Sequence, residues 1–330
     1  SKSPDSHLAK ISTDEFIIKG NYTDTASKIQ IRALLHTENT NVTPSIRQFI
    51  ISYKDNTPRL KSIEIPSDKI IDVPSYSQYI RDKNIGSVIC SPTSITMLLN
   101  RRNENLIVEE TAWSCFDYDY EAFGNWLFNV AFASSLGYES FVEYGNLKSL
   151  KREIYSEYPV AVSVKYTNDI NNLEYPYIEN APITTAGHIL VVRGFEKKDG
   201  IDYVVVNDPA GKSNESVTRR YKLSEFESAW HRGSNIMYII HDKEVEINNN
   251  RIEASLELKN NKENLYSVLV NDTYLDLSSD FVKTILITYD NGLTFEYLVP
   301  YNNHYLALEN KNKCIIYIIG SDGFTYVCNC

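Results

Sequence analysis

The sequence predicts an α+β fold, and three observations support this prediction. Residues 71–241 show helical spacing first and strand patterns after, an order typical of α+β domains. Residues 1–70 and residues 242–330 show the apolar alternation of strands on either side of that segment. We therefore expect a central α+β domain between an N-terminal and a C-terminal β module.

The N-terminal module contains two segments with strand patterns. KIQIRALLHT (28–37) alternates apolar and polar side chains, and SIRQFIISYK (45–54) does the same. The loop between them, ENTNVTP, has the residue types of a turn. The two segments predict two strands of a small sandwich.

The central domain is predicted to begin with helices. Residues 92–102 have helical spacing, Pro92 suits the first helical turn, and Cys90 or Ser91 suits the cap. Two further helices are expected over residues 124–137 and 147–158. Strands are then expected over residues 159–166, 187–196 and 201–210.

The C-terminal module is divided by the turn signals DNG (290–292) and SDG (321–323). The second turn places Cys314 opposite residues 328–330 of the next strand. A cross-strand disulfide with Cys328 or with Cys330 is therefore expected in an oxidising compartment. A zinc site at these three cysteines is the weaker alternative, because no fourth ligand is evident.

Composition restricts the function classes. The chain has 330 residues and a net charge of −10, which argues against nucleic acid as the main partner because phosphate groups bind basic surfaces. No apolar run reaches the roughly 18–20 residues of a membrane-spanning helix, and the first residues, SKSPDSHLAK, lack the pattern of a secretory signal. The five cysteines are too few for a disulfide-rich scaffold.

Cys90 is the first candidate for chemistry, because it lies at the predicted start of a helix. Free N–H groups and the helix dipole favour an anion there and lower the pKa of a thiol. A cysteine nucleophile also needs a base and a group that orients the base. Taken alone, the segment favours a small buried cysteine over a nucleophile, and half of a disulfide is a further alternative.

A predicted hairpin supplies the base and its partner. Two apolar runs flank the turn EKKDG, so His188 falls opposite residues 208–211 and becomes a cross-strand or diagonal neighbour of Asp208. A carboxylate at that distance can accept from one imidazole nitrogen and leave the other for a thiol. The alternative is that His188 caps a strand edge and that NDPAG is a polar turn.

Other polar residues carry weaker signals. Gln78 lies 12 residues before Cys90 and has a side chain suited to hydrogen-bond a developing oxyanion. The remaining histidines are scattered without ligand spacing, so no metal site is expected: His7, His36, His231, His241 and His304.

Several motifs, taken in order, resemble bacterial papain-like cysteine peptidases. They are VPSYSQ, ICSPTSITMLL, GNWLFNVAFASSLG, GHILVVRGF, VNDPA and YKLSEFESAW, and they span about residues 70–241. They are similar to the family related to the bacteriocin-processing, double-glycine leader peptidases. The upstream segment from IQIRALLHT to FIISYK resembles the β module that often precedes such a domain.

The resemblance implies a role for each candidate residue. Cys90 would be the nucleophile, His188 the general base and acid, Asp208 the orienting residue and Gln78 the oxyanion donor. The common pattern of the family has glycine directly after the cysteine, whereas this chain has Ser91, so we expect a narrower pocket beside the thiol. Gln78 also stands farther from the cysteine along the chain than in papain.

The sequence therefore predicts a cysteine peptidase or amidase that hydrolyses a peptide amide through an acyl-thioenzyme and needs no cofactor. Its partner would be a peptide or protein substrate. One alternative is an acyl or amine transferase with the same triad, and another is a non-catalytic surface-binding protein. The flanking β modules favour secretion or a cell-surface or cell-wall location, and the cytoplasm is the alternative.

Overall fold

The computed structural model describes residues 9–11, 15–18, 30–41, 43–46, 49–53, 68–247, 250–309 and 313–330 of the chain. The helices are α1 (Cys90–Asn100), α2 (Val108–Ser114), α3 (Trp126–Ser135), α4 (Leu147–Tyr155) and α5 (Leu223–Arg232), with 3-10 helices at Gln78–Ile80 and Asn214–Ser216. No helix in the described part of the chain is long and apolar enough to cross a membrane.

The strands in the described part of the chain form three sheets. The strands before residue 245 are β1 (Ala9–Ile11), β2 (Phe16–Ile18), β3 (Lys69–Ile70), β4 (Tyr138–Tyr144), β5 (Val160–Tyr166), β6 (Thr185–Lys198), β7 (Ile201–Asn207), β8 (Thr218–Lys222) and β9 (Ile236–Lys243). The later strands are β10 (Arg251–Asn260), β11 (Leu265–Val270), β12 (Thr273–Tyr274), β13 (Val282–Thr288), β14 (Glu296–Leu298), β15 (Leu306–Ala307), β16 (Ile315–Gly320) and β17 (Thr325–Asn329).

The N-terminal residues differ from the prediction. The structure has no strand in the described parts of the segments 28–37 and 45–54, so the two strands predicted there are wrong for those residues. Their apolar side chains stay in solvent, with Leu34 83% and Phe49 56% exposed. Two strands with nothing under their apolar face are marginal in water, which explains why alternation alone forms no strands here. The described N-terminal strands are instead β1 and β2, which pair with each other.

The central sheet has seven antiparallel strands in the order β4-β9-β5-β6-β7-β8, with β3 pairing with β6. Helix α1 packs against β5 and β6, and α5 packs against β5. Both the helix α1 and the strand β5 are almost fully buried, and most of their side chains are apolar or small. This packing places the start of α1 next to the first residues of β6, because the Cys90 thiol interacts with His188 and Ile189.

The predicted helices coincide with α1, α3 and α4 to within a few residues, whereas α2 and α5 were not predicted. Helix α2 has only seven residues, too few to show a period. In α5 the spacing of Leu223, Phe226 and Trp230 was a readable helical signal, and Phe226 and Trp230 are buried in the core.

The C-terminal sheet has eight strands, in the order β12-β11-β10-β17-β16-β13-β14 with β15 pairing with β11. Its antiparallel β16–β17 pair joins Ile315 to Asn329, so Cys314 lies directly opposite Cys330. These two cysteines form a disulfide. Of the two pairings that the sequence left open, the register selects Cys330, and Cys328 stays a free thiol inside the core.

The C-terminal sheet packs on α2 of the central domain. Ile107, Leu286, Tyr317 and Ile319 form one apolar cluster across the contact. Beside it, the Arg251 guanidinium donates to both carboxylate oxygens of Glu110, at 3.1 and 2.8 Å. This two-point ion pair is mostly shielded from water and fixes the orientation of the sheet on the helix.

Replacing Cys330 with serine is expected to lower the free energy of unfolding by about 3 kcal/mol, because the disulfide closes a loop across 16 residues of separation. Denaturant unfolding without reductant measures this loss, followed by a tyrosine or tryptophan signal. The wild-type protein with reductant is the control and should behave like the variant. Equal stability of the oxidised wild type and the variant would contradict the expectation.

Candidate active site

Cys90 is the first residue of α1. The cap is Ile89, which precedes both residues that the sequence suggested for the cap, and its side chain makes no capping hydrogen bond. The first helical hydrogen bond runs from the N–H of Thr93 to the carbonyl of Ile89, at 3.0 Å. The N–H groups of Cys90 and Ser91 precede that bond, so they lie at the positive end of the helix dipole.

His188 lies on β6, where it pairs with Val164 of β5. Asp208 directly follows the last residue of β7, and the nitrogen Nε2 of His188 lies 2.8 Å from its Oδ1. Both side chains are buried, at 4% and 0% exposure. The structure therefore brings together the two residues that the hairpin prediction made neighbours. The pairing of β6 with β7 contains a register shift at residues 192–194, so the residue pairs beyond it differ from those of a regular hairpin.

The carboxylate of Asp208 accepts four hydrogen bonds. Oδ1 accepts from His188 and from the backbone N–H of Ala210, at 2.8 and 2.9 Å. Oδ2 accepts from the hydroxyls of Tyr166 and Tyr221, each at 2.8 Å. Burial alone would raise the pKa of Asp208, but the charge of His188 and these donors lower it. The carboxylate is therefore ionised and held in one orientation.

Sequence reasoning missed Tyr166 and Tyr221. Tyr166 lies two residues beyond Val164, the partner of His188, and so is on the same face of the sheet. Tyr221 pairs with Val204 on the other side of the hairpin. A predicted pairing of β5 with β6 would have pointed to Tyr166, whereas Tyr221 gives no local signal.

The thiol and the imidazole shift each other's titration. Burial would raise the pKa of Cys90, but the charge of His188, a hydrogen bond to it and a backbone hydrogen bond from Ile189 bring the pKa below its ordinary value. Burial would lower the pKa of His188, but Asp208 and Cys90 raise it. Since Nε2 of the ring is bonded to Asp208, the other ring nitrogen is the one available to the thiol. The pair is suited to exist as thiolate and imidazolium near neutral pH.

The pKa values of the two other free cysteines are shifted in the opposite direction. Burial raises the pKa of the Cys115 thiol, and it raises the pKa of Cys328 to about 12. With Cys314 and Cys330 in a disulfide, Cys90 is the one cysteine of the five whose pKa is lowered.

Gln78 is the first residue of the 3-10 helix before α1, and its side chain is buried. Its backbone N–H donates to the carbonyl of Pro209, at 2.9 Å, which joins it to the loop that carries Asp208. Its Nε2 donates to the carbonyl of Gly86, at 2.9 Å. Its Oε1 is buried without a hydrogen-bond partner among the described residues. One N–H of the amide is thus used by Gly86, and the second can serve another acceptor.

Ser91 directs its hydroxyl into the core. Its side chain is buried, and its Oγ lies 2.8 Å from the hydroxyl of Tyr238 on β9. The hydroxyl is therefore used inside the core, which gives no support for the expected narrowing of the pocket beside the thiol.

The described residues contain no group of three or more histidine, cysteine, aspartate or glutamate side chains that could hold a metal ion.

Comparison with known proteins gives one family match. The model of the Peptidase_C39 like family matches residues 70–237, a range that includes Gln78, Cys90, His188 and Asp208. No curated protein matches the chain.

Three solved structures illustrate the similarities. A double glycine motif protease from an AMS/PCAT transporter, in complex with the leader peptide, is 18% identical over 52% of this chain and 92% of its own, with a TM-score of 0.35. A C39-like peptidase from Bacillus anthracis is 17% identical over 54% of this chain and 100% of its own, with a TM-score of 0.39. The bromelain protease from Ananas comosus, in complex with the E64 inhibitor, is 15% identical over 51% and 93%, with a TM-score of 0.36.

Proposed function

The chain belongs to the Peptidase_C39 like family, which makes it a cysteine peptidase in kind, and we propose that it hydrolyses a peptide amide with Cys90 as nucleophile. The observation that carries this proposal is the environment of Cys90. Its thiol has a lowered pKa at a helix N-terminus and interacts with His188, and His188 lies 2.8 Å from a buried carboxylate. A nucleophile, its base and the group that orients the base are the three parts that such catalysis requires.

The proposed reaction starts with attack of the Cys90 thiolate on the amide carbonyl carbon. The carbonyl π electrons move to oxygen, and the resulting oxyanion accepts hydrogen bonds from the backbone N–H of Cys90 and from Nε2 of Gln78. The oxyanion then collapses, the C–N bond breaks, and His188 gives its proton to the leaving amine. An acyl-thioenzyme and a free amine result.

Deacylation completes the cycle. His188, now neutral, takes a proton from water as the water oxygen attacks the thioester carbonyl. Collapse of the second oxyanion breaks the C–S bond, releases a carboxylic acid and restores the thiolate with the imidazolium. Asp208 stays ionised throughout, and it keeps the ring in one tautomer and one orientation.

The proposed partner is a peptide or protein substrate, and the proposed location is outside the cytoplasm. The Cys314–Cys330 disulfide supports that location, because such bonds persist in oxidising compartments. Trapping the thiols of the protein in intact cells tests it, and a fully reduced pair would point to the cytoplasm.

A peptide library tests the reaction itself. The wild-type protein and Cys90→Ala are incubated with the library in heavy-oxygen water, with and without an added primary amine, and products are identified by mass spectrometry. We expect the wild type to produce new carboxyl termini that carry the heavy oxygen. Products that carry the added amine instead would indicate a transferase. Intact peptides in every sample, or equal cleavage by the variant, would contradict the proposal.

A further inference from the structure

Asp82 accepts several backbone hydrogen bonds within the loop that joins the 3-10 helix at Gln78–Ile80 to α1. The carbonyl of Asp82 accepts the N–H of Ile85 at 3.0 Å and the N–H of Gly86 at 2.7 Å. Its Oδ1 accepts the N–H of Asn84 at 2.9 Å. Asp82 therefore stabilises the turn over residues 82–86. The carbonyl of Gly86, the last residue of this turn, accepts a hydrogen bond from the side-chain amide of Gln78.

This turn lies in close contact with the 3-10 helix. A Cβ added at Gly86 would lie 2.8 Å from the carbonyl oxygen of Gln78 and 3.2 Å from that of Asp82. Only glycine fits that approach. A shift of Asp82 would therefore displace Gly86 and, with it, the acceptor that orients the Gln78 amide.

The side chain of Asp82 is bound by the C-terminal sheet. Its Oδ2 accepts from the hydroxyl of Thr284 on β13, at 3.0 Å. The same hydroxyl accepts from the indole N–H of Trp113 on α2, at 3.1 Å. Thr284 and Asp82 are 4% and 7% exposed, so water does not readily replace either bond.

A second connection supports the backbone of the same residue. The N–H of Asp82 donates to Oε1 of Glu109, at 3.0 Å. That oxygen also accepts from the hydroxyl of Tyr297, on β14 of the C-terminal sheet. Glu109 is fully buried. Both the side chain and the backbone of Asp82 are thus connected to residues of the C-terminal sheet.

We propose that the C-terminal sheet is a positioning element of the active site, in which Thr284 acts through Asp82 and the turn 82–86 to orient the Gln78 amide toward the oxyanion. This inference rests on the proposed function, since it needs Gln78 to be the oxyanion donor. It gives the C-terminal sheet a role in catalysis.

The test is Thr284→Val, which keeps the size of the side chain and removes the hydroxyl. Loss of one oxyanion donor costs about 10²–10³ in kcat, and a displaced donor should cost less, so we expect kcat to fall by about 10-fold with KM nearly unchanged. The pH dependence of Cys90 alkylation should not move, because the thiol and its base are untouched. Thr284→Ser, which keeps the hydroxyl, should restore kcat.

Thr325→Val is the matched control, because Thr325 is buried to a similar degree on β17 of the same sheet and has no described connection to Asp82. It should keep the wild-type kcat. If Thr284→Val does not fold, Asp82→Asn replaces it, since it removes one carboxylate acceptor at constant size and should produce the same selective loss of kcat.

A double-variant comparison decides between positioning and a general structural effect. If Thr284 acts through Gln78, Thr284→Val should reduce kcat no further in a Gln78→Ala background. An equal reduction in both backgrounds, or a kcat like that of Thr325→Val, would overturn the inference. In either case the peptidase function would still stand as long as Cys90→Ala is inactive, so the two proposals fail separately.

Discussion

Replacing Cys90 with alanine is expected to lower kcat/KM by about 10⁴-fold or more. The triad acts as a unit, so removal of its nucleophile abolishes the covalent route and leaves only substrate binding and the oxyanion donors. Hydrolysis rates on a peptide identified from the library measure the loss. The alanine side chain is smaller than cysteine at a partly buried position, so the fold should be retained, as circular dichroism can verify.

The matched controls are Cys115→Ala and Cys328→Ala. Both thiols are buried with raised pKa values, so neither should act as a nucleophile. Each control is expected to lose some stability, because both residues are buried, and to keep kcat/KM within a few-fold of wild type. Cys90→Ala with more than a tenth of wild-type activity would refute a role for this thiol in covalent catalysis.

Asp208→Asn is expected to lower kcat/KM by about 10²-fold and to narrow the pH range of activity from the alkaline side. The carboxylate raises the pKa of His188, so its neutral replacement lets that pKa fall. The acid limb of the pH profile follows ionisation of Cys90, and the alkaline limb follows loss of the imidazolium proton. A lower pKa of His188 therefore moves the alkaline limb of the pH profile to lower pH.

Asp117→Asn is the control for this substitution. Asp117 is also a buried aspartate, 4% exposed, and its carboxylate accepts from Asn125 at 2.7 Å in a loop outside the site. It should change stability without moving either limb of the profile. An alkaline limb that stays in place in Asp208→Asn would show that His188 does not depend on this carboxylate.

Local patterns in the sequence were sufficient to predict the helices α1, α3 and α4 and the strands β5, β6 and β7 of the central domain. Cys90 stands before a proline-containing helical start, and His188 and Asp208 flank a hairpin with a clear turn, so short-range rules bring each residue to its place. The contact of His188 with Asp208 follows from pairing across one turn. The relation of both to Cys90 depends on packing of α1 on β6, which the sequence indicated only through its resemblance to a family.

Features that depend on distant parts of the chain could not be predicted. The hydroxyl of Tyr221 and the connection of Thr284 to Asp82 join residues far apart in sequence, and no periodicity reports such contacts. The N-terminal segments show the opposite case: their alternation predicts strands, but apolar side chains such as Leu34 are exposed in the described part of the chain. Alternation predicts a strand only where the rest of the fold supplies a covering surface.

The most direct test of the account is the pH dependence of alkylation at Cys90, measured with iodoacetamide on the native protein and resolved by mass spectrometry of the modified peptide. The account predicts that Cys90 is alkylated with an apparent pKa well below the value of about 8.5 for an ordinary thiol, that His188→Ala raises it, and that Cys115 and Cys328 stay unmodified. An apparent pKa at or above the ordinary value, unchanged by His188→Ala, would contradict the claim that Cys90 is an activated nucleophile.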